Sequence, residues 1–133
     1  MEANENFAPH FKALRVYQHA RQLSIEIFEI TKRFPKEEQY SLTGQVRRSS
    51  RSIGAQIAEA WGKRRYPLHF VSKLTDADSE QLETQHWICV AMDSQYITHE
   101  EAQALIEKSI SIGKMIHNTI GKADSFSLQN NRR

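Results

Sequence analysis

The sequence predicts an all-α protein, an antiparallel up-down-up-down four-helix bundle, on three observations. Four stretches of about 20 residues carry apolar side chains at the i, i+3, i+4, i+7 spacing of a core-facing helix. No stretch alternates apolar and polar residues as a half-buried strand does, and there is no internal repeat. The connections are short, which makes successive helices antiparallel neighbours.

The first helix is expected from about Leu14 to Phe34, with Val16, Ala20, Leu23, Ile27, Ile30 and Phe34 on one face and Pro35 as its stop. The second is expected from about Ser41 to Lys63. Leu42, Val46, Ser49, Ser50, Ile53, Ile57, Ala60 and Trp61 form its apolar stripe, and Arg47, Arg48, Arg51, Gly54, Ala55, Ala58 and Gly62 fall opposite. Pro67 suits the first turn of a third helix, about Pro67 to Asp93, because its missing N–H is not needed there. Its expected inner face is Phe70, Val71, Leu74, Ala77, Gln81, Leu82, Gln85, Ile88 and Met92. Thr98 with Glu101 three residues later is a capping box for a fourth helix, about His99 to Lys122. The bundle thus spans residues 14–122, between a flexible N-terminal segment, 1–13, and a loose polar tail, 123–133.

A chain of 133 residues makes one domain with a single core. Cys89 is the sole cysteine and has no internal disulfide partner; no secretory leader is legible and no apolar run reaches membrane-spanning length. A cytoplasmic location is expected. The net charge of +2 conceals a polarity: residues 11–66 hold 12 Lys+Arg against 5 Asp+Glu, whereas residues 67–133 hold 6 against 9. A basic half attracts a polyanion and an acidic half repels it; the same polarity also suits head-to-tail pairing of subunits.

Catalytic and metal chemistry find little footing. Glu83-Thr84-Gln85-His86 has the Glu-x-x-His spacing of di-metal bundles, but it occurs once and no second pair exists; no metal or other cofactor is expected. The six histidines are scattered without an i,i+4 pair, Cys89 reads as a core thiol, and no glycine-rich strand-to-helix loop cradles a phosphate. Glu59 projects near Arg48 and Arg51, as a structural ion pair rather than a general base, and Asp78 on the apolar side requires a partner. No enzyme is expected.

The second helix and the turn after it carry the strongest signal. Arg47, Arg48 and Arg51 stack at i,i+3 and i,i+4, and Lys63, Arg64 and Arg65 follow. Six cations from one helix and its end fit successive phosphates of RNA or DNA, read through the backbone with little sequence preference. Tyr66 is the free aromatic beside them, suited to an unstacked base, since Trp61 belongs to the core stripe. Three alternatives remain for the same face: solvation, a subunit interface, or a dock for a partner protein. Gly54, Ala55 and Ala58 permit close approach of another subunit, and Trp87, on the polar face of the third helix with Lys73, Asp76, Glu80 and Glu83, is the matching interface aromatic.

Phe34-Pro35, then Tyr40-x-Leu42-Thr43-x-Gln45-x-Arg47-Arg48-Ser49, Ser52-Ile53 and Ile57-Ala58-Glu59 resemble the 23S rRNA intervening-sequence protein family. The similarity continues through Phe70, Leu74, Ala77 and Glu83 to Tyr96-Ile97, covering most of residues 14–120. Gln56, Ala60 and Ser79 depart from the family's usual Asn, Gly and Gly. The resemblance implies a four-helix bundle assembled as a ring-like homo-oligomer, typically a homopentamer, with a basic surface for nucleic acid and no catalytic activity.

Overall fold

In the computed structural model, which describes residues 10–131 with side chains to 127, all regular structure is helical. α1 spans Arg15–Thr31, α2 Leu42–Gly62, α3 Pro67–Asp93, α4 His99–Ile120 and α5 Ala123–Asn131, with single 3-10 turns at Phe11–Ala13 and Lys36–Glu38. Of the expected flexible segment 1–13, residues 1–9 lie outside the described residues, and the remainder is ordered as a turn with the His10 ring as its cap. No helix among the described residues is long and apolar enough to cross a membrane.

α1 ends at Thr31, three residues before Phe34. Lys32, Arg33 and Phe34 donate their N–H groups to carbonyls three residues back, at 3.3, 3.3 and 3.0 Å, a tightened last turn that brings the chain to Pro35. α3 begins at Pro67 as expected and closes with Gln95 in the left-handed region at φ 64°. There the Gln95 N–H reaches Met92 O and the Tyr96 N–H reaches Ala91 O at 3.0 Å, the 5→2 and 6→1 pattern that satisfies a helix C-terminus.

Long-range contacts give the packing order. Arg48 of α2 meets Glu80 and Glu83 of α3 while Glu59 meets Lys73; Asp78 of α3 meets His117 of α4; Glu26 of α1 and Arg33 in the turn after it meet Lys108 and Glu101 of α4. In every pair with two such contacts, higher numbers on one helix meet lower numbers on the other. Between them the core is filled by Leu23, Ile27, Ile53, Ile57, Phe70, Leu74, Ile88, Ile112 and Ile116, all buried. Each such side chain contributes about 1.5–3 kcal/mol by leaving water.

Small hydroxyl residues sit in the buried stripes of α2 and α3. Ser49 and Ser50 are fully buried in the α2 stripe and donate to Val46 O and Arg47 O, and Thr84 of α3 lies 2.9 Å from Ser49 Oγ. Burial costs them little because each hydroxyl has a carbonyl or hydroxyl partner. Buried Gln81 extends a similar chain: Gln85 Nε2 donates to it at 2.7 Å, and it donates to Asp78 at 3.0 Å. Asp78 thereby gains the partner its position demanded, with His117 Nε2 a further 3.3 Å contact. Gly113 makes the arrangement possible, for a Cβ there would stand 2.9 Å from Gln81 Nε2.

Three expectations are corrected. Of the expected loose polar tail, residues 132–133 lie outside the described residues and Ala123–Asn131 form α5: Ala123, Phe126 and Ser127 are buried, and the Phe126 ring packs on Trp61 and Phe70 at 6.0 and 5.2 Å between centroids. One apolar residue per turn suffices because the helix closes the end of a core already built. Leu82 is 55% exposed, not part of the α3 inner face, where Gln81 is buried as expected and Thr84, not expected there, is buried too. Cys89 is half-buried at the margin of the core.

The α4 capping box forms as its sequence predicts, with Glu101 N–H donating to Thr98 Oγ1 at 3.0 Å and Thr98 N–H donating to Glu101 Oε1 at 2.9 Å. The Arg33 guanidinium also donates to Glu101, 2.8 Å away, and together with the Thr98 backbone N–H it pulls the carboxyl down to about 2. A folded pKa below the unfolded one means that this stabilisation is complete above the ordinary carboxylate range, near 4.5, and is lost as pH falls toward 2. Thermal melts of wild type and Glu101→Gln are therefore expected to differ at pH 6 and to converge by pH 2. A gap that stays constant over that range would refute the assignment.

Candidate nucleic-acid interface

The six basic residues of α2 and its turn do not act alike. Arg47 is fixed from two directions: its Nε donates to the buried Thr31 Oγ1 of α1 at 2.8 Å, and its guanidinium carbon lies 4.6 Å from the Phe28 ring centroid. Arg51, one turn on, lies 5.4 Å from the same centroid, and Lys32 Nζ lies 5.0 Å from it. Lys32 also pairs with Glu29 at 3.1 Å, but neither Arg47 nor Arg51 has a carboxylate partner among the described residues. The Phe28 ring lies within cation–π distance of both guanidiniums, and the N–H groups that Thr31 does not take can meet an anion.

Arg48 points the other way, toward α3. It donates to Glu80 at 3.2 Å and to Glu83, and its Nε contacts Gln45 at 3.3 Å. The Glu83 bond, foremost, raises the Arg48 pKa above its ordinary value; in return the Trp87 indole N–H, 2.9 Å away, and Arg48 hold the Glu83 carboxyl below the usual range. Arg48, expected among the phosphate contacts, is thus paired with two carboxylates of α3, which Arg47 and Arg51 are not. Glu59 pairs with Lys73 of α3 at 3.6 Å, so it is an ion-pair residue, although its partner is not Arg48 or Arg51.

The basic turn divides in the same manner. Arg64 folds back, donating to Trp61 O at 2.9 Å with its guanidinium 4.0 Å from the Trp61 ring centroid. It caps the Trp61 carbonyl in the last turn of α2, a structural task beside the phosphate contact expected of it. Lys63 and Arg65 are exposed and have no carboxylate partner among the described residues. From Arg47 to Lys63 the helix axis covers about 24 Å, at 1.5 Å per residue.

The small residues divide as well. Gly54, expected at a subunit interface, is buried within the chain: a Cβ there would touch the Tyr17 ring of α1 at 3.5 Å. It serves the α1–α2 crossing and is unreachable for another subunit. Ala55 is exposed and Ala58 half-buried; Gly44, Ser52 and Ala55 line a low hollow with Arg47, Arg48 and Arg51. Trp87 is half-buried against the core, its ring 4.7 Å from that of His86. Among the described residues no group of three His, Cys, Asp or Glu side chains gathers as a metal site requires. Phe28 and Thr31 escape the sequence reading, although Phe28 carried a signal, an aromatic lying beside the apolar stripe of α1 rather than in it.

The geometry defines a class: an all-helical protein whose second helix carries two uncompensated arginines on one edge and a basic turn at its end. The chain belongs to the 23S rRNA-intervening sequence protein family, whose model matches residues 12–118. It is similar to the crystal structure of a protein of unknown function from the S23 ribosomal protein family of Bacteroides thetaiotaomicron. That similarity has a TM-score of 0.72 and 28% identity, covering 80% of this chain and 95% of the other. No curated protein matches the sequence.

Proposed function

We propose that this protein is a non-enzymatic, homo-oligomeric, antiparallel up-down-up-down four-helix bundle that acts in the cytoplasm by binding nucleic acid, structured RNA in preference to DNA. The observation that carries the reading is the edge formed by Arg47 and Arg51, two guanidiniums oriented by one aromatic ring and neutralised by no carboxylate among the described residues. Two preset forks at i,i+4 match adjacent phosphate oxygens, and Lys63 with Arg65 supplies further phosphate contacts where α2 ends. The opposite-order contacts along neighbouring helices support the bundle, and the family's tie to the 23S rRNA supports RNA. Assembly, pentameric as the resemblance implies, has support in the large apolar side chains left exposed on α3 and α4, Leu82 and Ile110. Glu59 and Glu83, the carboxylates that sequence spacing nominated for chemistry, are engaged by Lys73 and by Arg48 with Trp87.

Fluorescence anisotropy of the purified protein with an RNA hairpin and a matched DNA duplex, from low to physiological salt, tests the reading. Tighter binding of RNA, with a log–log salt slope of about −3 to −4 for roughly four phosphate contacts, is the expected result. Absence of binding at low salt would sink it and leave the alternative, a protein-interaction scaffold whose basic, small-residue face docks a partner protein.

A further inference from the structure

The turn between α2 and α3 presents an exposed aromatic ring on an unusually well-fixed backbone. Tyr66 is 57% exposed and Leu68, two residues on, is 84% exposed. The Tyr66 N–H donates to Lys63 O and its carbonyl accepts from Phe70 N, both at 2.9 Å, and Pro67 restricts its conformation from the other side. Ser127 of α5 donates to Arg65 O at 3.0 Å, Arg64 is folded over Trp61, and the Trp61 and Phe70 rings beneath are packed against Phe126. Four separate contacts thus hold a turn of four residues. More than half of this large ring is left in water at such a place.

The surroundings say what the ring fits. Lys63 and Arg65 flank it, both exposed and without a carboxylate partner among the described residues, and the His69 ring lies 5.7 Å away. Along α2, Arg47, Arg51, Ala55, Ala58 and Gly62 fall within about 80° of one another at 100° per residue. A low track of small side chains therefore leads from the arginine edge toward this turn. Aromatic rings next to cations, at the end of a phosphate-binding edge, match a nucleobase that has left its helix.

We propose that Tyr66 is a stacking platform for one unpaired RNA base, with Lys63 and Arg65 holding the phosphates on either side of it. The inference rests on the RNA reading above and narrows it: the preferred ligand is a duplex interrupted by an unpaired nucleotide. About 18 Å of helix separates Arg51 from Lys63 along the axis, roughly five phosphates of one strand, so paired stem and flipped base engage together. A protein that reads backbone rather than sequence slides until the unpaired base reaches the ring.

The test compares two RNA hairpins that differ by a single unpaired adenosine in the stem, by anisotropy at one salt concentration. Wild type is expected to bind the interrupted hairpin about 10-fold more tightly, within the range of one base–aromatic stack. Tyr66→Ala is expected to erase that preference while keeping the affinity for the fully paired hairpin, and Tyr66→Trp to retain it. With 2-aminopurine at the unpaired position, wild type and Tyr66→Trp quench the fluorescence and Tyr66→Ala does not. Equal binding of both hairpins by wild type, or a preference that survives Tyr66→Ala, overturns the stacking platform and leaves RNA binding intact. Failure to bind either hairpin overturns both.

Discussion

Phe126→Ala is expected to lower the unfolding free energy by about 3 kcal/mol and the melting temperature by roughly 10 °C. The side chain is 2% exposed and stands against two other aromatics, edge-on to Trp61 at 6.0 Å and tilted on Phe70 at 5.2 Å. Truncation removes its transfer free energy and both ring contacts together, and it opens a void at the end of α2 and the start of α3. Because α5 has nine residues, it is too short to persist without that anchor, so its helical signal disappears with the side chain. Thermal melts followed by circular dichroism measure the effect. A melting temperature within a degree of wild type would mean that α5 contributes nothing to the core.

Arg47→Glu/Arg51→Glu is expected to weaken RNA binding by at least 100-fold near 0.1 M salt and to flatten the log–log salt slope by about 2, one for each phosphate no longer neutralised. Reversal adds repulsion to the missing attraction. The fold tolerates the change because neither guanidinium satisfies a carboxylate; the local cost is the Arg47 bond to Thr31 and the stacking on Phe28. Size-exclusion chromatography with light scattering on the same variant separates the two uses of these arginines. An unchanged assembly that no longer binds RNA supports phosphate contact, whereas a dissociated oligomer assigns the arginines to the subunit interface.

The phosphate-contact reading also sets Arg48 apart. Although adjacent in sequence to Arg47 and lining the same hollow, it is turned by about 100° around the helix and meets Glu80 and Glu83, so the three arginines of α2 differ in whether a carboxylate compensates them. The same separation occurs at the turn, where Arg64 lies on Trp61 while Lys63 and Arg65 remain in water. Net charge along the chain therefore overstates the basic surface. What matters is which cations meet a carboxylate across a helix crossing, and that is a property of the packed pair.

The residues alone determined the helices. Apolar side chains at helical spacing, Pro35 and Pro67 as stop and start, and Thr98 with Glu101 as a capping box are local signals, each acting within one turn, and α3 and the start of α4 match them to the residue. The eight residues of the α2 stripe, from Leu42 to Trp61, are all buried because a period of about 3.6 fixes which side faces the core without reference to the partner. Tertiary structure alone decided the rest. Gly54 is covered by Tyr17, Arg48 is neutralised by α3, Arg47 and Arg51 share Phe28 of α1, and Phe126 completes the aromatic cluster on Trp61 and Phe70. Each of these joins separate helices, where the outcome depends on helix rotation and crossing distance, quantities that no local pattern encodes.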